Sequence, residues 1–167
     1  ARFSINKILS RVIAGAVHLV YGYIDFCMKQ IIVDTATSEY LDRWALVWGL
    51  QRKNANKAEG KVIFSGNDGA KIPAFTQIQT SDNFSFQTLF DVEIKDAKAS
   101  VQIQALVPNA FGNMKAGTSL NIVSPLANVY SNCVLDKEGA FNGADVEVDD
   151  SLRARVLDRI RNAPCAG

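Results

Sequence analysis

Between Arg11 and Asp25 the chain carries no formally charged residue, and apolar side chains recur on every side of the helix that this stretch would form. Val12, Ile13, Val17, Leu19, Val20, Tyr21, Tyr23 and Ile24 supply them. A helix that is apolar all round is either buried in protein or crosses a membrane. The uncharged interval is short against the roughly 20 apolar residues that a span needs, and it holds His18, Gly15 and Gly22. It is not a secretory signal, because no small-residue cleavage pattern follows and Asp25 interrupts it. The expectation is a helix surrounded by protein, from about residue 4 to residue 33, as one rod or two joined ones, with Ser4 or Asn6 as its cap. Gly15, His18 and Gly22 share a stripe where another backbone approaches closely. That backbone belongs either to the Trp44 helix of the same chain or to another subunit.

A second helix follows from Asp34 to Gly49. Asp34, Thr35, Thr37 and Ser38 are available to cap its start, Glu39 suits its first turn, and Gly49 suits its end. Leu41, Trp44, Ala45 and Trp48 fall on one side, and Glu39 and Arg43 are spaced to pair on the other. Two tryptophans one turn apart serve either core packing or a partner subunit. One small domain does not surround the first helix on all sides, so shared burial is favoured. Val17, Val20, Tyr21, Ile24, Trp44 and Trp48 are the expected partner interface.

From Lys61 the period changes to two. Val62–Phe64, Ile72–Thr76, Ile78–Thr80, Phe84–Thr88, Val92–Ile94, Val101–Ala105, Leu120–Val123 and Val129–Val134 read as short strands. Gly66-Asn67-Asp68-Gly69 and Ser81-Asp82-Asn83 are turns, and Gly139 to Gly143 reads as a loop. Asp149, Asp150 or Ser151 caps a last helix. Leu152, Val156, Leu157 and Ile160 face inward on it, Arg153, Arg155, Arg159 and Arg161 face outward, and Pro164 stops it. The fold class is α+β: N-terminal helices, a compact antiparallel strand-rich middle and one C-terminal helix. The divisions fall at 1–59 (helical), 60–147 (β-rich) and 148–167 (closing helix and linker).

The chain holds 18 basic and 17 acidic residues in 167, a balance that creates no field for nucleic acid or an anionic membrane. Cys27, Cys133 and Cys165 are odd in number and lack metal-ligand spacing, which fits a reducing cytoplasm. His18 is the single histidine and has no carboxylate one turn away, so it reads as a packed, hydrogen-bonded side chain rather than a catalytic base. Asp145, Glu147, Asp149 and Asp150 lack the glycine and distal glutamate of a calcium loop and read as a strand end and helix-start charges. Phe84, Phe86 and Phe90 offer a sugar platform, yet their alternation fits a core face better. No catalytic constellation, cofactor site or metal site emerges.

The segments Asp34-Thr35-Ala36, Glu39-Tyr40-Leu41-Asp42-Arg43-Trp44-Ala45 and Trp48-Gly49 resemble the phage tail baseplate J-like family. So do Ala14-Gly15-Ala16-Val17-His18 and Tyr21-Gly22-Tyr23 before them, and Val62, Phe64, Gly66, Gly69, Ile72-Pro73-Ala74, Thr76 and Ser81-Asp82 after. Gly112-Asn113, Ala116-Gly117-Thr118 and the run from Gly143 to Arg161 complete the resemblance, which covers almost the whole chain. Phe75 stands where glycine is expected, and Asn83 replaces a glycine while tolerating the same left-handed backbone. The family implies a non-enzymatic wedge subunit of a contractile phage or Mu-like prophage tail, assembled in the host cytoplasm and residing in the virion baseplate. It implies association with a second copy and with other wedge proteins through helical bundles, and no nucleic acid, membrane or small-molecule partner. It also implies that this sequence is the centre of a longer chain, in keeping with Ala1 at the start and a linker-like tail. A domain recognising host-surface glycan at the tail tip is the alternative.

Overall fold

A computed structural model describes residues 5–163. Ser4 as a cap, Pro164 as a stop and Cys165 lie outside the described residues. Among these, the chain divides into a helical unit, which runs to Arg52 and resumes at Glu147, and a β unit, Lys53–Val146.

In the helical unit α1 is one uninterrupted helix, Ile5–Ile31, roughly 40 Å long at 1.5 Å per residue. A short turn leads into α2, Ser38–Val47, and the unit closes with α3, Asp149–Arg161. Leu41, Ala45, Leu152 and Val156 are fully buried where α2 meets α3, with Val33 and Ala36 beside them and Trp44, Trp48, Leu157 and Ile160 packed around. The apolar side read from the sequence of α2 is therefore the one that packs. Gly49 ends it at φ +70, where only glycine is free of Cβ strain.

The caps come from elsewhere than the sequence suggested. Thr37 precedes α2 without a side-chain cap. The free amides are instead met by Gln30 Oε1, which accepts from Thr37 N at 2.9 Å, and by Asp149 Oδ2, which accepts from Ser38 N at 2.8 Å. Val148 precedes α3, so Asp149 and Asp150 lie in its first turn. Arg43 does not pair with Glu39; its guanidinium lies over the Tyr40 ring, 5.6 Å from the centroid.

The β unit is a closed six-stranded barrel in the order β1 (Glu59–Gly66), β6 (Lys98–Ala105), β4 (Ser85–Thr88), β3 (Gln77–Gln79), β7 (Ser119–Ile122), β8 (Val129–Phe141), every pair antiparallel. A two-stranded sheet, β2 (Lys71–Ile72) with β5 (Val92–Glu93), stands apart from it. Closure removes the edges at which a flat sheet would aggregate. The two-residue period fills the lumen: Ala99, Val101, Ile103 and Ala105 of β6 are buried while the residues between them face out. Phe64, Phe86, Ile78 and Leu120 complete the core.

Two backbone features depart from expectation. β8 runs on through Gly139 to Phe141 where a loop was read. A large register shift against β1 separates Gly60↔Ala140 from Val62↔Leu135, and Gly139 takes φ +72 inside it. There a Cβ would collide with the Met114 carbonyl, so only glycine fits. The second feature is a hairpin turn at Asp96-Ala97, both at positive φ between the paired Lys95 and Lys98. A two-residue turn of that hand usually carries glycine in second place.

Phe75 takes the left-handed geometry expected of a glycine there, at φ +61, and Asn83 does likewise at φ +62. An L-residue in this region costs roughly 1–2 kcal/mol, and the Phe75 ring, 68% exposed, recovers little of that by burial. Phe75→Gly is therefore expected to stabilise the barrel by about 0.5–1 kcal/mol after the entropy of glycine is charged against it. Chemical denaturation should show a higher midpoint with an unchanged slope.

Candidate assembly surface

Among the described residues of the helical unit, α1 is bare over most of its length. Its most apolar 18-residue window has no buried residue, and nothing lies within 4 Å of a Cβ built on Gly15 or Gly22. The glycine stripe does not meet the Trp44 helix. Only the last turns of α1 are anchored: Phe26 packs edge-on against Tyr40 at 6.0 Å, and the Trp44 indole N–H donates to the Gln30 carbonyl at 3.3 Å.

The helix is also less uniform than its composition implied. Lys7, Arg11, His18, Asp25 and Lys29 recur at four- and seven-residue steps and form one polar stripe along its whole length. Lys29 Nζ bonds Asp25 Oδ2 there at 2.8 Å. His18 is thus an exposed member of this stripe, not a packed core histidine. The remaining surface carries two apolar seams with alternating three- and four-residue spacing. One is Ile13, Val17, Val20, Ile24, Cys27 and Ile31; the other is Ile5, Ile8, Val12, Gly15, Leu19, Gly22 and Phe26. A hydrophobic arc this wide exceeds the single a/d seam of a two-stranded coiled coil. It matches a helix with neighbours on two sides.

Of the six residues expected at an interface, Val17, Val20, Tyr21 and Ile24 come together around a shallow apolar groove on α1 with Ala16. All four are exposed. Trp44 and Trp48 are on α2, half-buried against the Leu41, Ala45, Leu152 and Val156 core. The structure does not bring the two groups into one site. The second seam was missed because charge, rather than heptad spacing, was followed along the helix.

By length and composition α1 could cross a membrane, as 27 residues with mean hydropathy 1.2 over its best window. A lipid-facing span would have to carry the Lys7–Lys29 polar stripe through hydrocarbon, which is costly unless that stripe meets protein or water.

Polar groups of the helical unit converge on Arg52. Its Nε donates to Asp42 Oδ1 at 2.8 Å, Nη1 to the Glu147 carbonyl at 2.6 Å and Nη2 to Asp149 Oδ1 at 2.7 Å. The bond to Asp42, and behind it the bond to Asp149, raises the Arg52 value against the opposing effect of burial. The Ser38 amide first, and then the Arg52 guanidinium, hold the Asp149 carboxyl below its ordinary value. Arg155 Nη1 reaches Glu147 Oε2 at 2.6 Å, and Arg153 Nη2 reaches the Ala36 carbonyl at 2.9 Å. Arg153 and Arg155 therefore turn into the unit rather than outward, whereas Arg159 and Arg161 are exposed.

The acidic cluster is consumed by these bonds and by Asp145 Oδ1, which accepts from Ala110 N at 3.0 Å. Among the described residues no group of three or more potential metal ligands forms. A carboxyl with a lowered folded value adds stability that is present above its ordinary range and lost as pH falls through the folded value. The helical unit should accordingly loosen below about pH 4. Thermal melts of Asp149→Asn should lose that acid limb while sitting lower at neutral pH.

Phe86 is fully buried and Phe84 half-buried against it, their rings 5.3 Å apart and edge-on, so no three-ring sugar platform exists. Cys133 is buried with Sγ 3.4 Å from the Leu120 carbonyl, and burial pushes its thiol up to about 12. Such a thiol is inert at neutral pH.

Residues 61–143 match the sequence model of the Baseplate J-like protein barrel domain. Over 98% of its length the chain is 30% identical to Mu-like prophage FluMu protein gp47 of Haemophilus influenzae, covering 44% of that protein. Over 92% it is 30% identical to the baseplate protein gp47 of Escherichia phage Mu, covering 43%. The chain thus spans less than half the length of these relatives. A solved chain from the baseplate of the anti-feeding prophage shares the fold at a TM-score of 0.56 and 11% identity, over 92% of this chain and 48% of the other. The chain therefore carries a baseplate J-like barrel domain, and its similarity to these relatives extends over the flanking helices.

Proposed function

We propose that this chain is part of a structural subunit of a contractile phage or prophage tail baseplate, joined to a second copy of itself and to other wedge proteins through α1. The observation that carries the proposal is the pair of apolar seams on α1, exposed along a helix that the other described residues of the helical unit leave open. Burying Val17, Val20, Ile24 and their counterparts in the other seam would each contribute about 1.5–3 kcal/mol. That is ample for a stable bundle, while the polar stripe would stay in water. The barrel serves as a rigid, edgeless body within the same chain as this connector. The role is non-catalytic and places the protein in the virion tail after assembly in the host cytoplasm. That the phage Mu relative is a baseplate protein supports the baseplate setting, and the buried Phe86 disfavours glycan recognition. Co-expression of tagged and untagged copies tests the proposal: the untagged copy should be retained. Monomeric recovery of both, with no wedge protein retained either, would overturn it.

A further inference from the structure

We infer that the turn between α1 and α2 is a strained elbow latched by α3, so that α3 sets the direction in which α1 projects. The latch has two hooks, on backbone atoms of residues two apart in the chain. Asp149 Oδ2 accepts from Ser38 N at 2.8 Å, and Arg153 Nη2 donates to the Ala36 carbonyl at 2.9 Å. Both hooks come from the first turns of α3, and Asp149 is itself held by Arg52 at 2.7 Å. At the second hook the backbone is strained: Ser38 sits at φ +47, where a side chain is disfavoured. A residue kept in that region persists only when its surroundings over-determine it.

Thr37 supplies no cap of its own. Besides the hooks, the elbow is held by Val33 and Ala36 in the helical core, by Gln30 Oε1 on Thr37 N, by Thr35 Oγ1 on the Lys29 carbonyl and by the Trp44 indole on the Gln30 carbonyl. Charge-assisted bonds to backbone are the stronger class of hydrogen bond, so loss of either hook removes more restraint than a neutral cap would. Released, Ser38 relaxes to an ordinary backbone angle, and a change of a few tens of degrees there swings a helix roughly 40 Å long through a wide arc. The device lies wholly within the helical unit and does not depend on what α1 binds.

Electron–electron distance measurements between spin labels at Ala14→Cys and Ala154→Cys test it, with Cys27, Cys133 and Cys165 replaced by alanine. The latched chain should give one narrow distance peak. Asp149→Asn and Arg153→Ala should each broaden or shift that peak. Ser38→Gly, which removes strain and leaves both hooks in place, should keep it narrow. Helix content is followed by circular dichroism, and Arg153→Ala, which removes a single hook, serves if Asp149→Asn melts the unit. An unchanged narrow peak in a folded Arg153→Ala chain would overturn the latch, as would a broad peak in the unsubstituted chain. Association through α1 is a separate readout: it can fail while the latch holds, and the reverse.

Discussion

Ile24→Asp is expected to abolish association through α1 while leaving the barrel folded. Ile24 is 49% exposed in the single chain, so the substitution removes little from the monomer. In a bundle the same position lies mid-seam between Val20 and Ile31, and a carboxylate there must be desolvated without a partner. An unpaired buried charge costs several kcal/mol and exceeds what one seam residue contributes. Tyr21→Asp, which borders the same groove, should weaken association less, because Tyr21 lies nearer the polar stripe. Retention of the untagged copy should fall at least tenfold for Ile24→Asp, with the β signature unaltered in circular dichroism. Normal retention by Ile24→Asp would exclude this seam.

Phe86→Ala is expected to cost the barrel about 3–5 kcal/mol. Phe86 is fully buried, stacks edge-on with Phe84, and lies opposite Ala105 and Ile78 on neighbouring strands. Removing its ring leaves a void in a small closed lumen whose walls are tied by hydrogen bonds and relax only partly. Against a typical domain stability of about 5–15 kcal/mol this is a large fraction. Phe90→Ala, on an exposed ring, should change stability by less than about 0.5 kcal/mol. Equilibrium urea unfolding of the two variants separates a core aromatic from a surface one. If both unfolded alike, the assignment of Phe86 to the core would fail.

The barrel was legible because alternation is a local signal. Residues 99, 101, 103 and 105 point inward, and no tertiary knowledge is needed to see them. Closure into a barrel was not legible, since strand order depends on pairings such as β1 with β8 that are about 70 residues apart. The run through Gly139 read as a loop because two glycines usually break a strand, whereas here one of them makes a bulge possible. Capping failed for a related reason. Asp34, Thr35 and Thr37 are good caps by type, yet the amides of α2 are met by Gln30 from α1 and Asp149 from α3. Tertiary donors and acceptors overrode local ones.

The arginines of α3 show the same limit. Amphipathic spacing placed all four outside, but Arg153 and Arg155 have long enough stems to reach back to Ala36 and Glu147. On α1 the sequence gives the need for cover without giving the cover. Enclosure within the chain's own helical unit does not occur, and the single chain leaves the apolar window of α1 exposed. What decides between a connector and an idle helix is therefore the state of α1 in the assembly.

Hydrogen–deuterium exchange of α1 measures that state directly, comparing the isolated chain with the same segment inside an assembled baseplate. Amides from Ile5 to Ile31 should exchange at least a hundredfold more slowly in the assembly, while barrel amides change little. Equal exchange of α1 in both states would contradict the account.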